Sequence, residues 1–302
     1  MATRVVDSIL IGAGARPAYR SERSFWRAAG RRARRYPTAA AGLVVLAALG
    51  GVAVLAPLLA PYAPDGINPV ARLQGPSWQH WFGTDSLGQD VLSRTIYGSR
   101  VSLAVGLTVA ALSGLCGTGI GLSAGYFRRL DLPLMRLMDG CMAFPGLLLA
   151  LALIAIEGPH LWAVILVLAT VQTPRTARLL RACVLGLRQN LYIEAARSLG
   201  VGPGRILWRY LLPNAMAPLL VEATFSFAAA VLAEAALSFL GTGIPPTTPS
   251  WGNIIGQGRV VIQQAPWLST FPGLAIALTV LSISVVGDGL RDTLDPTLAR
   301  RA

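Results

Sequence analysis

Asn190-Leu191-Tyr192-Ile193-Glu194-Ala195-Ala196-Arg197-Ser198-Leu199-Gly200-Val201-Gly202-Pro203 is a polar, helix-forming stretch set between two apolar runs, and Leu212-Pro213 follows it. Leu191, Ala195 and Leu199 recur every fourth residue and share one helix face, with Tyr192 and Ala196 beside them. Asn190 suits an N-cap, and Gly200 stands where a helix ends in a left-handed turn. Pro203 suits the first turn of a second helix, with Ile206, Leu207, Tyr210 and Leu211 as its apolar stripe. Pro213 is expected to stop that helix. The stretch thus predicts a hairpin of two short helices, within a loop over about 186–214, displaying an alanine-rich face. Glu194 lies off the main stripe and can pair with Arg197 or with a partner. On periodicity alone, an amphipathic loop resting on lipid headgroups fits as well.

Composition decides what surrounds this loop. The chain has 302 residues, 54% of them hydrophobic and 13% charged, where a soluble domain carries about 25% charged residues. An all-α integral membrane protein is expected. The net charge of +12 comes from 26 basic residues, all arginine, nine of which precede the first apolar run. A basic tail beside a membrane span is an orientation signal, and nucleic acid is not an expected partner. The absence of lysine excludes an ordinary Walker A loop and a Schiff-base lysine. No H-E-x-x-H occurs, and Cys116, Cys141 and Cys183 lack metal-type spacing and read as small core residues.

Six apolar spans are expected: about Thr38–Ala60, Val101–Phe127, Leu132–Ile156, Leu161–Leu180, Ala215–Leu240 and Leu268–Gly287. At about 1.5 Å per residue each can cross a core of roughly 30 Å. The fourth must extend past Gln172-Thr173-Pro174 to Arg175 and Arg178, whose heads would snorkel. Placing both termini in the cytoplasm puts seven arginines between Arg175 and Arg209 inside, together with Arg128, Arg129, Arg291, Arg300 and Arg301. The outer loops then keep only Arg72, Arg94 and Arg259, with Arg100 at a span edge, as the positive-inside bias requires. Residues 1–37 form a cytoplasmic tail in this reading and 38–302 the six-helix domain, with outer loops over 61–99 and 241–267.

Ser113, Gly117, Gly121 and Gly125 recur every four residues in the second span and let another helix approach closely. Gly121-Leu122-Ser123-Ala124-Gly125 also fits a nucleophile-elbow pattern, but that elbow needs a strand-to-helix turn and a histidine, and the chain has two histidines in all. Intramembrane acids are candidate functional groups, here Asp139, Glu222 and Glu234. Arg136 stands three residues before Asp139, at the spacing where the two neutralise each other. Glu222 and Glu234 project about 120° apart around their helix, so they do not line one stripe. Each can face a pore or pair with an arginine of another subunit. In the tryptophan-rich outer loops, Asp85 and Asp90 offer too few oxygens for calcium, and helix capping by Thr84 or Asp85 is expected instead.

The spacing Glu194-Ala195-Ala196, then Gly200, then Leu212-Pro213 resembles the signature of ABC-importer permeases, with Tyr210 where an isoleucine is usual. His80-Trp81-Phe82-Gly83-Thr84-Asp85, Asp90-Val91-Leu92-Ser93-Arg94, Ala143-Phe144-Pro145, Pro249-Ser250-Trp251-Gly252 and Gly287-Asp288-Gly289-Leu290-Arg291-Asp292 are similar to the C-type permeases of dipeptide, oligopeptide and nickel importers. Gln89 replaces that branch's usual arginine. The likeness runs over nearly the whole chain after Phe25.

The resemblance implies a type I ABC importer permease fold, with no catalysis and no cofactor on this chain. ATP and Mg would sit on two partner ATPase chains, engaged through Glu194, Ala195, Ala196, Gly200, Leu212 and Pro213. A homologous permease, membrane lipid and an extracytoplasmic binding protein are the other implied partners. That binding protein would dock near Trp81, Asp85, Asp90, Trp251 and Trp267. Asp139, Glu222 and Glu234 become candidate pore or gating residues, and a pore-facing glutamate would meet a peptide's amino terminus. Nickel as cargo, an intramembrane hydrolase centred on Ser123, and a self-sufficient secondary peptide transporter are the alternatives.

Overall fold

The computed structural model describes residues 37–294. The arginine-rich tail before Pro37, and Arg300 and Arg301, lie outside those residues, so their expected cytoplasmic placement does too. Among the described residues the regular structure is helical, apart from one isolated antiparallel bridge between Thr84 and Asp90. The helices are α1 (Pro37–Val54), α2 (Ala56–Leu59), α3 (Val91–Tyr126), α4 (Arg128–Met142), α5 (Gly146–Glu157) and α6 (Leu161–Leu187). The loop supplies α7 (Leu191–Ser198) and α8 (Pro203–Ile206), followed by α9 (Leu212–Phe239), α10 (Trp251–Gly258) and α11 (Trp267–Leu294).

Four helical stretches are long and apolar enough to cross a membrane: α1, α3, the continuous run Pro203–Phe239, and α11. The pair α4 and α5 makes a fifth if taken as one broken span. α6 is 27 residues long, but only its first half is apolar, because Arg175, Arg178 and Arg181 occupy the second.

The third span departs from the expected continuous Leu132–Ile156. It bends by 89° at the break between Met142 and Gly146. Pro145 disfavours helical backbone at Phe144 and then starts α5, so the chain turns there. The second span departs in the other direction. α3 begins at Val91, ten residues before the expected Val101, because its polar first turns are buried by a cap that residues 60–90 and α10 form over this end of the bundle.

The central packing is α3 against α6, and the small-residue stripe explains it. A Cβ on Gly117 would lie 2.6 Å from Thr176 Cβ, one on Gly121 2.6 Å from Leu180 Cβ, and one on Gly125 2.7 Å from Val184 Cβ. No side chain fits at these points, so the two backbones meet directly. Ser113, the fourth member of the stripe, faces α9 instead, with its Oγ 3.3 Å from Ser226 Oγ. Ser123 sits inside this unbroken helix, where no strand-to-helix turn presents it, and the hydrolase reading loses its geometry. Cys116 is exposed on the same helix rather than a core residue.

Candidate functional site

The helical loop is built from a two-sided α7. Ile193 is buried against Leu122 and Val184 of the bundle and against Ile206 and Leu211, and Ala196 is buried one turn on. The opposite face presents Leu191 at 82% exposure and Leu199 at 83%, with Ala195 and Glu194 exposed beside them. Helices that finish a fold bury their apolar stripe; here a full stripe of leucine and alanine is left outside.

Asn190 occupies the N-cap position without a side-chain capping bond. Gly200 adopts φ +75°, the left-handed conformation expected of it. Around it the Gly200 amide donates to Arg197 O at 2.9 Å and the Val201 amide to Ala196 O at 3.0 Å, which closes the last turn.

Pro203 opens α8 as expected, but the second helix does not stop at Pro213. It widens into a π turn over Leu207–Leu211 and continues as α9. Pro213 has no amide hydrogen, and its ring would clash with the carbonyl four residues back. The wide turn, in which the Leu212 amide reaches Leu207 O, accommodates it without breaking the helix. The loop therefore runs as one helical rod into a span.

Glu194 does not pair with Arg197. The Arg197 guanidinium lies over the Tyr126 ring, 5.0 Å from its centroid. Between α7 and the ends of α3 and α6 is an open cavity of about 500 Å³, lined by Tyr126, Arg128, Arg188, Gln189, Glu194 and Arg197.

The three candidate pore acids have partners within the chain. Asp139 accepts from Arg178 Nη2 at 2.6 Å, not from Arg136, so the bond ties α4 to α6 rather than closing within α4. Glu222 meets Arg175 Nε at 3.0 Å, which joins α9 to α6. Glu234 is fully buried. Its carboxylate accepts from Ser250 Oγ at 2.8 Å, Ser238 Oγ at 2.9 Å and Ser102 Oγ at 3.2 Å. It fastens α3, α9 and α10 together and faces no opening. A fourth link of this kind is bidentate: Arg181 donates to both oxygens of Asp131 at 2.5 and 2.8 Å. Arg175 and Arg178, expected to snorkel to the interface, instead pair with the acids that face them on α9 and α4, and those acids are the signal in the sequence.

The cap over the start of α3 also uses its polar residues internally. Asp85 accepts from the Leu87 and Gln89 amides, both at 2.8 Å, and binds Arg94, which reaches Gln257 at 2.8 Å. The helix cap is Asp90 rather than Thr84 or Asp85: it accepts from the Ser93 amide at 2.8 Å, and its other oxygen meets His80 Nδ1 at 2.8 Å. Trp251 Nε1 donates to Thr95 O and Trp267 Nε1 to Thr84 O. Gly88, at φ +76°, lets the Asn68 carbonyl pass where any side chain would collide with it. Of the five expected docking residues, Asp85, Asp90 and Trp251 are buried and Trp267 is half-buried in this cap, which leaves them little surface for a partner. Trp81 is exposed, and so is Trp78.

Residues 117–300 match the family described as binding-protein-dependent transport system inner membrane component. Residues 24–76 match the N-terminal transmembrane domain of oligopeptide transport permease C. A putative peptide transport system permease protein of Brucella abortus is 49% identical over 268 residues, covering 89% of this chain and 90% of the relative. The dipeptide transport system permease protein DppC of Alkalihalophilus pseudofirmus is 43% identical over 90% of both chains. The di/tripeptide transport system permease protein DppC of Pseudomonas aeruginosa is 43% identical over 86% of this chain and 88% of its own. In fold, 67% of the chain superposes on 96% of a chain from the inward-facing MetNI methionine ABC transporter, with TM-score 0.54 at 20% identity.

Proposed function

The chain belongs to the family of binding-protein-dependent transport system inner membrane components, and on that premise we propose that it is the pore-forming permease subunit of an ATP-driven importer of di- and oligopeptides. The cargo follows its relatives, which are named for peptide and dipeptide transport. In this reading α1, α3, the broken pair α4/α5, α6, α9 and α11 make six crossings, with both termini in the cytoplasm. The arginine asymmetry supports that orientation, because it gathers the arginines of α6 and the helical loop on the inner side.

One observation supports the coupling role above the rest. α7 exposes Leu191, Ala195 and Leu199 while its other face is anchored in the bundle. A stripe of this size fits the cleft of another protein. The continuous helix from Pro203 to Phe239 would transmit a push on the loop directly into a span.

Without lysine the chain has no ordinary Walker A loop, so ATP and Mg belong to partner ATPase chains. A second permease completes the pore, and an extracytoplasmic binding protein delivers cargo to the outer cap, where Trp78 and Trp81 are exposed. Closure of the ATPases would draw the loops of the two permeases together and turn the cavity outward. Moving such a gate from 1:99 to 99:1 takes about 5.5 kcal/mol of differential binding, a load suited to ATP engagement.

The test is co-purification with the ATPase chains, with peptide-stimulated ATP hydrolysis as the second readout. Glu194→Lys and Gly200→Trp are expected to abolish assembly or stimulation. Survival of both properties in both variants would remove the coupling role.

A further inference from the structure

We propose that the cavity behind α7 is a phosphate-binding site whose occupant is the headgroup of an anionic phospholipid from the inner leaflet. Three guanidinium groups from three elements line it: Arg128 at the start of α4, Arg188 at the end of α6, and Arg197 on α7. Glu194 is the single carboxylate in the wall, so three positive charges against one negative leave a formal +2. Among the described residues no carboxylate lies within ion-pair distance of these arginines. The acid on the neighbouring turn of α4, Asp131, is already held through both oxygens by Arg181.

The arginines are also oriented. Arg188 Nη1 donates to Gly125 O at 2.9 Å, which fixes the side chain, and among the described residues its other nitrogens have no hydrogen-bond acceptor. Arg197 rests over the Tyr126 ring. Guanidinium groups present paired donors that match phosphate oxygens, a geometry that an ammonium group lacks. At about 500 Å³ the cavity falls within the size range of small-molecule sites.

Position selects a lipid over a soluble phosphate. Tyr126 ends the apolar run of α3, and Phe127, Leu130 and Leu132 are exposed directly after it, beside Arg128. A headgroup in the cavity would leave its acyl chains against this apolar edge. The occupant would bridge the bundle to α7 and help seat the loop. The site does not depend on the coupling role, since it is complete in this chain alone.

Native mass spectrometry of the full-length chain, in micelles doped with phosphatidylglycerol, tests the assignment. Each arginine near an anionic surface is worth about a fivefold change in affinity. Arg128→Gln with Arg197→Gln is therefore expected to weaken the tightest-bound phosphatidylglycerol about 25-fold. Arg259→Gln, an exposed arginine on the outer cap, should leave that lipid in place. The doubly lysine-substituted chain, Arg128→Lys with Arg197→Lys, keeps charge and fold and should show an intermediate loss. Excess inorganic phosphate should fail to displace the lipid; displacement would reassign the cavity to a soluble anion. Equal lipid retention by the wild type and the glutamine variant would overturn the site.

Discussion

The Glu234 carboxylate accepts a hydrogen bond from Ser250 Oγ at 2.8 Å, so an acid in the last turns of an apolar helix points into the cap over the start of α3. The same oxygen receives Ser238, and the other receives Ser102. Three hydroxyls from α3, α9 and the start of α10 converge on one group that has no exposure.

Replacing that group tests whether it is a fastener. Glu234→Leu leaves three buried hydroxyls short of an acceptor, each at about 1–3 kcal/mol when nothing replaces it. The purified variant should lose at least about 3 kcal/mol in a reversible unfolding assay. A variant with unchanged stability and altered transport would place Glu234 at the pore instead.

The α3–α6 contact makes a paired prediction. Gly121→Val puts methyl groups where Leu180 Cβ and Ala177 O already stand, both 2.6 Å from the position of a Cβ. Overpacking of this kind costs about 1–3 kcal/mol, and here two helix backbones must separate to relieve it. Gly119→Val, two residues earlier on an exposed face with open space around it, should leave thermal stability unchanged. Equal effects of the two substitutions would mean that the crossing is not set by the stripe.

Two of the three ion pairs made by α6 should behave differently. Arg178 and Asp139 are both well exposed, and Asp139→Asn should cost less than about 1 kcal/mol. Arg175→Gln strands Glu222, whose side chain is only 10% exposed although Arg175 itself is 58% exposed, and should cost about 1–3 kcal/mol. Combining it with Glu222→Gln should recover part of that loss. A double variant no better than Arg175→Gln would show that the pair is not what holds α9 to α6.

Much of this architecture was legible because apolar runs longer than a bilayer core have few alternatives. The end of α9, the start of α11 and the packing role of Gly117, Gly121 and Gly125 follow from residue type and spacing alone. Two of the misreadings share a cause: partners distant in sequence. Arg178 lies 39 residues from Asp139 and displaced the nearby Arg136. The first turns of α3 are polar, and only Trp251 and Gln257, more than 150 residues away, make them a buried helix. The loop shows the opposite limit. Its periodicity named the stripe that is displayed, but not the inner face on which α7 is seated, because the burial of Ile193 and Ala196 is decided by the bundle beneath them.

Gly200 isolates a backbone effect. Its φ of +75° penalises any side chain, yet a Cβ there would touch nothing within 4 Å. Gly200→Val should therefore cost about 1–2 kcal/mol locally and loosen α7 without disturbing the bundle. Gly200→Asn should be tolerated, since asparagine accepts the left-handed turn. Hydrogen exchange over α7 reads this directly: faster exchange in the valine variant and near wild-type exchange in the asparagine variant. Equal rates in all three would contradict the turn's role.

The central claim is that α7 offers its outer stripe to an ATPase. Site-specific photocrosslinking in intact cells reads it most directly, with a benzophenone amino acid at Leu191, Leu199 or, as the inward control, Ile193. The account predicts adducts to a P-loop ATPase chain from Leu191 and Leu199 and none from Ile193. Adducts only to lipid from the two leucine positions would show that the stripe rests on the membrane, and the account would fail.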